Sequence, residues 1–335
     1  MFGFIGKHIG LNLNFRVLFY IAAALLPLAL VTGYVRANNI RWYISPSDPY
    51  IQTWSDTTAI TVDDDWSNFI AINGYRGDDL TTGVGVDPQT VLADGESTPL
   101  MVIANQANPN NLAAAGVAEF DGLANPTVAL KGSATADAPH LLIQLNKESC
   151  PDTKFITVSY NVRDLDSTRT DALQQVALQF RVGTTGNFTN VPGAFVYDAT
   201  EGSRATRVTP VFGTLPHIPV SDNIIYLRIL TTNAAGGINE WVGIDDITIG
   251  CYAPTASNVT VSGRVTGGGR ATVLMTDQEG NSRSVKTNSF GLYRFDDVPA
   301  GQTYTLNAYS KGSQYDPKVV TVADSVTDLD FYPQP

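Results

Sequence analysis

Clustered carboxylates are the residues of this chain with the clearest chemical potential. Aspartates stand side by side or one residue apart in four segments, Asp63-Asp-Asp65, Asp78-Asp79, Asp164-Leu-Asp166 and Asp245-Asp246. Carboxylate oxygens are the ligands that Ca²⁺ prefers, and paired carboxylates also cleave glycosidic bonds. We predict calcium as the only cofactor. Solvated loop carboxylates are the alternative, because the chain has no Asp-x-Asp-x-Asp-Gly loop.

Other catalytic chemistry is not indicated by the sequence. Beyond the N-terminal segment the chain has two histidines, His140 at the start of an apolar run and His217 between two prolines. Neither belongs to a cluster with zinc-ligand spacing, and no Gly-x-Ser-x-Gly segment precedes a helix. We therefore predict that the chain has no catalytic residues and is not an enzyme.

Aromatic residues are candidates for stacking on sugar rings, because the C–H faces of sugars pack on aromatic planes. We predict this role for Trp66, Tyr75 and Trp241, with core packing as the alternative for the two tryptophans. The predicted partners are polysaccharides or cell-surface glycans. Arg76-Gly-Asp78 also spells a cell-adhesion tripeptide, for which an ion pair between Arg76 and a carboxylate is the simpler interpretation.

The N-terminus has the pattern of a secretory signal. Lys7 and Arg16 precede the apolar run Val17–Val31, and Val35-Arg-Ala37 offers small residues for cleavage. The run is shorter than the ~20 residues of a membrane span. We predict a signal peptide over residues 1–37, with an uncleaved anchor as the alternative, and no other membrane contact. The protein would be secreted or held at the cell surface.

The chain is acidic, with 21 Lys and Arg against 32 Asp and Glu and a net charge of −11. The predicted signal peptide contains Lys7, Arg16 and Arg36 and no acidic residue, so its removal would leave a net charge of −14. Such a chain repels nucleic acids, and we predict no nucleic-acid partner.

Two cysteines, Cys150 and Cys251, remain after the predicted signal. An even number of cysteines in a secreted chain favours pairing. Cys150 precedes the strand-like segment Phe155–Val162 and Cys251 follows Asp246–Gly250, so antiparallel pairing of the two segments would bring the thiols together. We predict a disulfide, with two free thiols as the alternative.

Alternating apolar residues predict an all-β fold. Val176, Leu178 and Phe180 alternate with polar or small residues, and similar alternation recurs in Ile156–Val162 and Ile225–Leu230. After a lead-in over 38–59, we predict a large jelly-roll-like β-sandwich over 60–251. A linker over 252–257 and a small seven-stranded sandwich over 258–335 follow.

The small sandwich resembles the carboxypeptidase regulatory-like domain, a prealbumin-type and carbohydrate-binding-like fold. The resemblance rests on three segments, Ser262–Val265, Thr287–Phe295 and Val298–Tyr304. Domains of this kind are appendages of secreted and surface proteins without catalytic residues. The resemblance therefore implies an extracellular module.

The large sandwich resembles a jelly-roll-like domain of bacterial extracellular multidomain proteins. Segments such as Gly74–Asp78, Ile103–Pro109 and Glu240–Ile247 carry the resemblance. In similar jelly rolls the first aspartate of the closing strand meets an early loop at a structural cation. The resemblance thus implies a calcium site with the ligands Asp245, Asp246, Asp63, Asp64 and Asp65.

Together these observations predict a secreted or cell-surface, non-enzymatic binding protein whose ligand is carbohydrate. The first alternative is a structural or adhesive subunit of an extracellular matrix or filament, in which exposed strand edges support self-assembly. The second alternative is an accessory part of a secreted hydrolase system.

Overall fold

The computed structural model of the protein describes residues 37, 39–94, 99–167, 172–252, 258–267, 270–278 and 280–334. Val35–Pro335 form one compact unit. The predicted signal peptide lies outside the described residues, apart from its last residue, and so does most of the predicted linker. In the described part, none of the helices has both the length and the apolar character required to cross a membrane.

The large sandwich consists of two six-stranded sheets. Sheet I has the order β1-β6-β11-β8-β9, with β3 also pairing with β6, and sheet II has the order β10-β7-β12-β5-β4, with β2 also pairing with β12. The strands of sheet I are β1 (Trp42–Tyr43), β3 (Ile72–Tyr75), β6 (His140–Asn146), β8 (Val176–Val182), β9 (Thr189–Val196) and β11 (Ile224–Thr231). Those of sheet II are β2 (Tyr50–Gln52), β4 (Gly116–Phe120), β5 (Thr127–Lys131), β7 (Phe155–Asp164), β10 (Val208–Thr214) and β12 (Val242–Tyr252).

Alternation along these strands forms the core between the two sheets. Successive side chains of a strand point to opposite faces. The buried residues at every second position therefore meet in one cluster, to which β8 contributes Val176 and Leu178 and β11 contributes Ile225 and Leu227. The all-β fold class predicted from this periodicity is confirmed.

The small sandwich has two sheets with a separate core. The strands are β13 (Asn258–Arg264), β14 (Thr272–Thr276), β15 (Ser282–Lys286), β16 (Leu292–Pro299), β17 (Gln302–Tyr309) and β18 (Lys318–Val322). β13 pairs with β16, and the other sheet has the order β15-β14-β17-β18. The described residues thus form six strands where seven were predicted. Residues 326–331 run alongside β13 through isolated parallel bridges, from Val326 to Val261 and from Phe331 to Val265, rather than as a continuous strand.

The two sandwiches contact each other through aromatic residues. Tyr197, which follows β9, stacks on Tyr332 with ring centroids 4.3 Å apart, and Phe195 meets the same ring edge-on at 6.3 Å. Such offset and edge-on pairs stabilise a contact by about 0.5–1.5 kcal/mol beyond the buried area. The predicted domain boundaries stay predictions.

The predicted disulfide is confirmed. Cys150 and Cys251 are bonded, with Cα atoms 5.8 Å apart and a sequence separation of 101 residues. The bond forms where the sequence suggests, because β7 and β12 pair antiparallel and Tyr252 is opposite Phe155. Both cysteines are fully buried.

Loss of this disulfide is expected to lower the free energy of unfolding by about 2–4 kcal/mol, because the bond restricts a long loop of the unfolded chain. Urea unfolding of the wild type and of the Cys150→Ser/Cys251→Ser variant measures the difference. Reductant should destabilise the wild type and leave the double variant unchanged. Equal midpoints for wild type and variant would contradict the prediction.

Candidate functional site

Asp245, the predicted first calcium ligand, is occupied by protein partners. A bulge in β12 between Asp245 and Thr248 interrupts its pairing with β7. The buried carboxylate pairs with Arg163 at 2.8 Å and accepts a hydrogen bond from the Asn125 amide at 2.8 Å. Asp246 has a left-handed backbone and accepts a hydrogen bond from Asn161. Burial raises the pKa of Asp245 above its ordinary value.

The three aspartates of the early loop also bind protein groups. Asp63 accepts a hydrogen bond from the Ala104 amide, and Asp64 accepts one from the Val102 amide. Asp65 accepts one from the amide of Ser67. Within the part of the chain that the structure describes, no three carboxylate, histidine or cysteine side chains are grouped as metal ligands. Calcium binding therefore stays a prediction.

The stacking role predicted for two tryptophans is corrected by their burial. Trp66 and Trp241 are both 0% exposed. Trp66 donates its indole N–H to the Met101 carbonyl, and Trp241 donates its own to the Leu112 carbonyl. Their rings pack in hydrophobic clusters, so a sugar cannot reach them.

Tyr75, the third predicted stacking residue, lies in a groove on the outer face of sheet I. We call this the Tyr226 groove, and its volume is about 250 Å³. The residues that line it are Asn39, Arg41, Tyr75, Asp94, His140, Leu142, Gln144, Arg181 and Tyr226. Six of them converge because they occupy the outward positions of β3, β6, β8 and β11, whose inward positions fill the core, whereas Asn39, Arg41 and Asp94 come from segments outside these strands.

A row of three side chains forms the floor of the groove. Tyr226 in the central strand β11 is opposite Arg181 of β8 on one side and Gln144 of β6 on the other. The guanidinium of Arg181 lies over the Tyr226 ring, 4.7 Å from its centroid. The Gln144 side chain makes no hydrogen bond to the described residues, although Gln144 is only 5% exposed.

Arg41, Asp94 and Tyr75 surround this floor. Arg41 Nη2 donates a hydrogen bond to the Tyr226 hydroxyl at 3.3 Å. Asp94 forms an ion pair with Arg181. The Tyr75 ring stacks on His140, with centroids 5.4 Å apart and planes inclined by 18°. The groove thus combines two half-buried aromatic rings with an amide, guanidinium groups and one carboxylate.

A buried cation lies next to the floor of the groove, on the same face of sheet I. Arg228 in β11 is fully buried, and its guanidinium lies 4.0 Å from the Phe188 ring centroid. Burial lowers the pKa of Arg228 to about 9, so the side chain is still a cation at neutral pH. Burial, together with the Arg228 charge, lowers the pKa of His140 to about 3, so His140 is neutral.

Residues 86–93 are held against the same face by buried polar groups. Arg228 donates hydrogen bonds to the carbonyls of Val91 at 2.5 Å and Ala93 at 2.7 Å, and it also binds the Gln179 side chain. Gln179 in turn donates to the carbonyls of Pro88 and Val91, both at 3.2 Å. This network fixes the segment that leads to Asp94.

A second depression, of about 780 Å³, lies in the small sandwich between β13, β16 and Lys286. Its aromatic residue Tyr293 is 3% exposed and donates its hydroxyl to the Leu329 carbonyl. Of its three cations, Arg294 is bound to Asp296 at 2.6 Å, and Arg264 and Lys286 are the other two. Because the aromatic ring of this depression is buried, the Tyr226 groove, with two half-buried rings, is the better candidate site.

Sequence reasoning missed most of the groove. It noted Arg181, Tyr226 and Arg228 only as the residues that alternate with core positions. Two arginines in the middle of apolar strands are a signal in themselves, because a charged side chain in a sheet faces either solvent or a partner. Arg76, in contrast, forms an ion pair with Asp78 and no exposed adhesion loop is required to explain it.

Solved structures that resemble the chain include a β-1,2-glucanase from Parabacteroides distasonis, at 13% identity and a TM-score of 0.25. The match covers 65% of this chain and 35% of that chain. A β-glucuronidase from Ruminococcus gnavus, in its apo structure, matches at 9% identity and a TM-score of 0.27, over 90% of this chain and 45% of that chain. The same enzyme with uronic deoxynojirimycin matches at 9% identity and 0.27, over 90% and 46%.

No protein-family model and no curated protein matches the chain. The chain spans less than half the length of the similar structures. At these TM-scores the resemblance concerns β-rich architecture and assigns neither an activity nor a substrate to the chain.

The functional prediction made from the sequence is corrected at this point. It described a non-enzymatic binding protein, with a structural or adhesive subunit and a hydrolase accessory as alternatives. This description does not stand as drawn, because the similar structures are those of glycoside hydrolases. The separate expectations that the chain is not an enzyme and has no catalytic residues stay predictions.

Proposed function

We propose that the chain recognises a carbohydrate in the Tyr226 groove. The observation that carries the proposal is the row of Arg181, Tyr226 and Gln144, which three neighbouring strands place in register. Aromatic rings pack on the C–H faces of sugars. Guanidinium and amide groups donate to hydroxyl oxygens, and an amide oxygen also accepts from hydroxyl groups.

The size of the groove supports a short binding site. Its volume of about 250 Å³ is at the lower limit of typical small-molecule sites, which span about 300–1,000 Å³. One sugar residue would occupy the groove, and the rest of a polysaccharide or cell-surface glycan would continue over the protein surface. The proposal concerns recognition and assigns no bond-breaking step to the chain.

The same proposal includes the location and the small domain. The buried disulfide supports residence in an oxidising compartment outside the cytoplasm. Export by the N-terminal signal would deliver the chain there. The two-sheet sandwich at residues 258–334 supports a carboxypeptidase regulatory-like module, carried as an appendage beside the sugar-binding sandwich.

Removal of the Tyr226 ring is expected to weaken glycan binding about tenfold or more, because a stacked ring contributes about 1.4 kcal/mol. A glycan panel identifies a binding saccharide, and calorimetry then compares the wild type with Tyr226→Ala. Tyr309→Ala is the matched control, because Tyr309 is an exposed residue of β17 in the small sandwich.

The control should retain wild-type affinity. Melting curves of both variants establish that the fold is intact. A panel in which no saccharide binds, or equal affinity of Tyr226→Ala and the wild type, would contradict the proposed function.

A further inference from the structure

We infer that the saccharide recognised by the Tyr226 groove is acidic, and that its carboxylate binds between Arg41 and Arg181. This inference rests on the proposed function and names the ligand class of the same site. The inference starts from the charge of the groove, which is positive, whereas the net charge of the whole chain is negative.

Among the described residues, three arginines and one carboxylate lie in or beside the groove on this face of sheet I. Arg41 and Arg181 line the groove, and Arg228 lies beside it on the same face, two residues along β11 from Tyr226 and buried under residues 86–93. The lining contains one carboxylate, Asp94, which pairs with Arg181. The chain as a whole has a net charge of −11, so a local excess of cations is not what composition alone would produce.

Among the described residues, Arg41 is the cation of the groove that has no counter-ion. No carboxylate of the described residues forms an ion pair with it, and its one hydrogen bond, from Nη2, goes to the neutral Tyr226 hydroxyl. Its Nε–H is buried and has no acceptor. A guanidinium has five N–H donors in a planar fork that matches a carboxylate, so most of the binding capacity of Arg41 is unused.

Arg181 also has a hydrogen-bond donor without an acceptor. Its side chain is 3% exposed, and it binds Asp94 and the Gly186 carbonyl. Its Nε–H is also buried without an acceptor. Buried polar groups are normally paired, since each unpaired donor costs about 1–3 kcal/mol. Two guanidinium groups that contact the same Tyr226 and have unpaired donors therefore indicate a missing anionic acceptor.

The position of these groups fits a sugar acid better than an anion alone. Both arginines contact Tyr226, Arg41 through the hydroxyl and Arg181 over the ring. A carboxylate between the guanidinium groups would therefore place its attached ring beside Tyr226 and the unpaired amide of Gln144. Charge-assisted bidentate contacts are roughly twice as strong as neutral hydrogen bonds, so the carboxylate would dominate selectivity.

The distant negative charge of the chain does not prevent this. At physiological salt the screening length is about 8 Å, so exposed charges elsewhere act weakly on a ligand in the groove. The partly buried arginines are screened less than exposed groups. Recognition would therefore depend on the local cations rather than on the net charge.

Calorimetry with matched acidic and neutral saccharides tests the inference. The probes are oligogalacturonate with its methyl ester, and hyaluronan oligosaccharides with their carboxyl-reduced form. We expect at least one acidic member to bind about tenfold or more tightly than its neutral counterpart. Arg41→Gln should lower the affinity for the acidic member by a clearly larger factor than the affinity for its neutral counterpart, whereas a purely structural role of Arg41 would lower both affinities by the same factor.

Arg41→Lys is the conservative variant, and it should retain part of the preference because it keeps the charge but not the fork. Equal binding of acidic and neutral members, with loss of both in Tyr226→Ala, would overturn the inference and leave the proposed function standing. If Arg41→Gln still binds the acidic member more tightly than the neutral one by the wild-type factor, the inference would be overturned as well. If none of these probes and no saccharide of the glycan panel binds the protein, both the proposed function and the inference are contradicted.

Discussion

Replacement of Arg228 by methionine is expected to lower the free energy of unfolding by about 2–4 kcal/mol. Methionine preserves most of the volume but leaves the carbonyl of Ala93 and the side-chain oxygen of Gln179 without their donor. Each unpaired buried group costs about 1–3 kcal/mol. The contact of the guanidinium with the Phe188 ring, which contributes up to about 2 kcal/mol when desolvated, is lost as well. Removal of a buried charge offsets part of this cost.

Urea unfolding of Arg228→Met measures the change. Arg294→Met is the matched control, because the side chain of Arg294 is 64% exposed and its ion pair contributes no more than about 1 kcal/mol. Arg228→Lys should fall between Met and the wild type, since an ammonium cannot bridge Gln179 and two carbonyls together. A Met variant as stable as the wild type would mean that desolvation of the guanidinium cancels its hydrogen bonds.

The residues that face the core could be predicted from the sequence, because their positions depend on one repeating property, the alternation of apolar residues along each strand. Apolar residues at every second position specify which face of a strand is buried. The residues that lie in the core as this pattern requires are Val176, Leu178, Phe180, Ile225, Leu227 and Ile229. The disulfide was predictable for the same reason, since the ends of paired antiparallel strands coincide. No knowledge of loops is needed for either result.

The way in which the outward-facing residues combine into a groove could not be predicted from periodicity. Gln144, Arg181 and Tyr226 are separated by tens of residues, and they become neighbours only through the strand order β6-β11-β8. Sequential strands do not reveal that order. Burial of Arg228 also depends on residues 86–93 folding back over the sheet, which a strand pattern cannot indicate.

The carboxylates and the tryptophans show that residue type alone can predict the wrong role for a side chain. Asp245 has the oxygen ligands that calcium requires, but a bulge turns it toward Arg163 and Asn125. Trp66 and Trp241 are large enough to fill a core, and both do so. Tyr75 and Tyr226 are only half-buried, and it is these rings that line the groove.

A pH-dependent stability is expected from Glu119 in β4. This side chain is 4% exposed, and burial, with added repulsion from Asp121 and Asp56, raises its pKa to about 7. The folded state therefore holds the proton more tightly than the unfolded chain, whose glutamate has an ordinary pKa of 4.5. The resulting stabilisation is complete below about pH 4.5 and is lost as the pH rises through about 7. Its size is about 2–3 kcal/mol.

Glu119→Gln isolates this effect, because glutamine resembles the protonated acid and its carbonyl can still accept the hydrogen bond from the Asn105 amide, which the carboxylate accepts at 3.2 Å. The variant should equal the wild type in stability near pH 4 and exceed it by about 2–3 kcal/mol near pH 8. Glu148→Gln is the control, since Glu148 is exposed, and it should not change the pH dependence. A Gln variant that parallels the wild type from pH 4 to pH 8 would show that the pKa of Glu119 is the same in the folded and unfolded states, so that Glu119 is ionised in the folded protein at neutral pH. The buried edge of sheet II would then have to stabilise a carboxylate with the single hydrogen bond from Asn105.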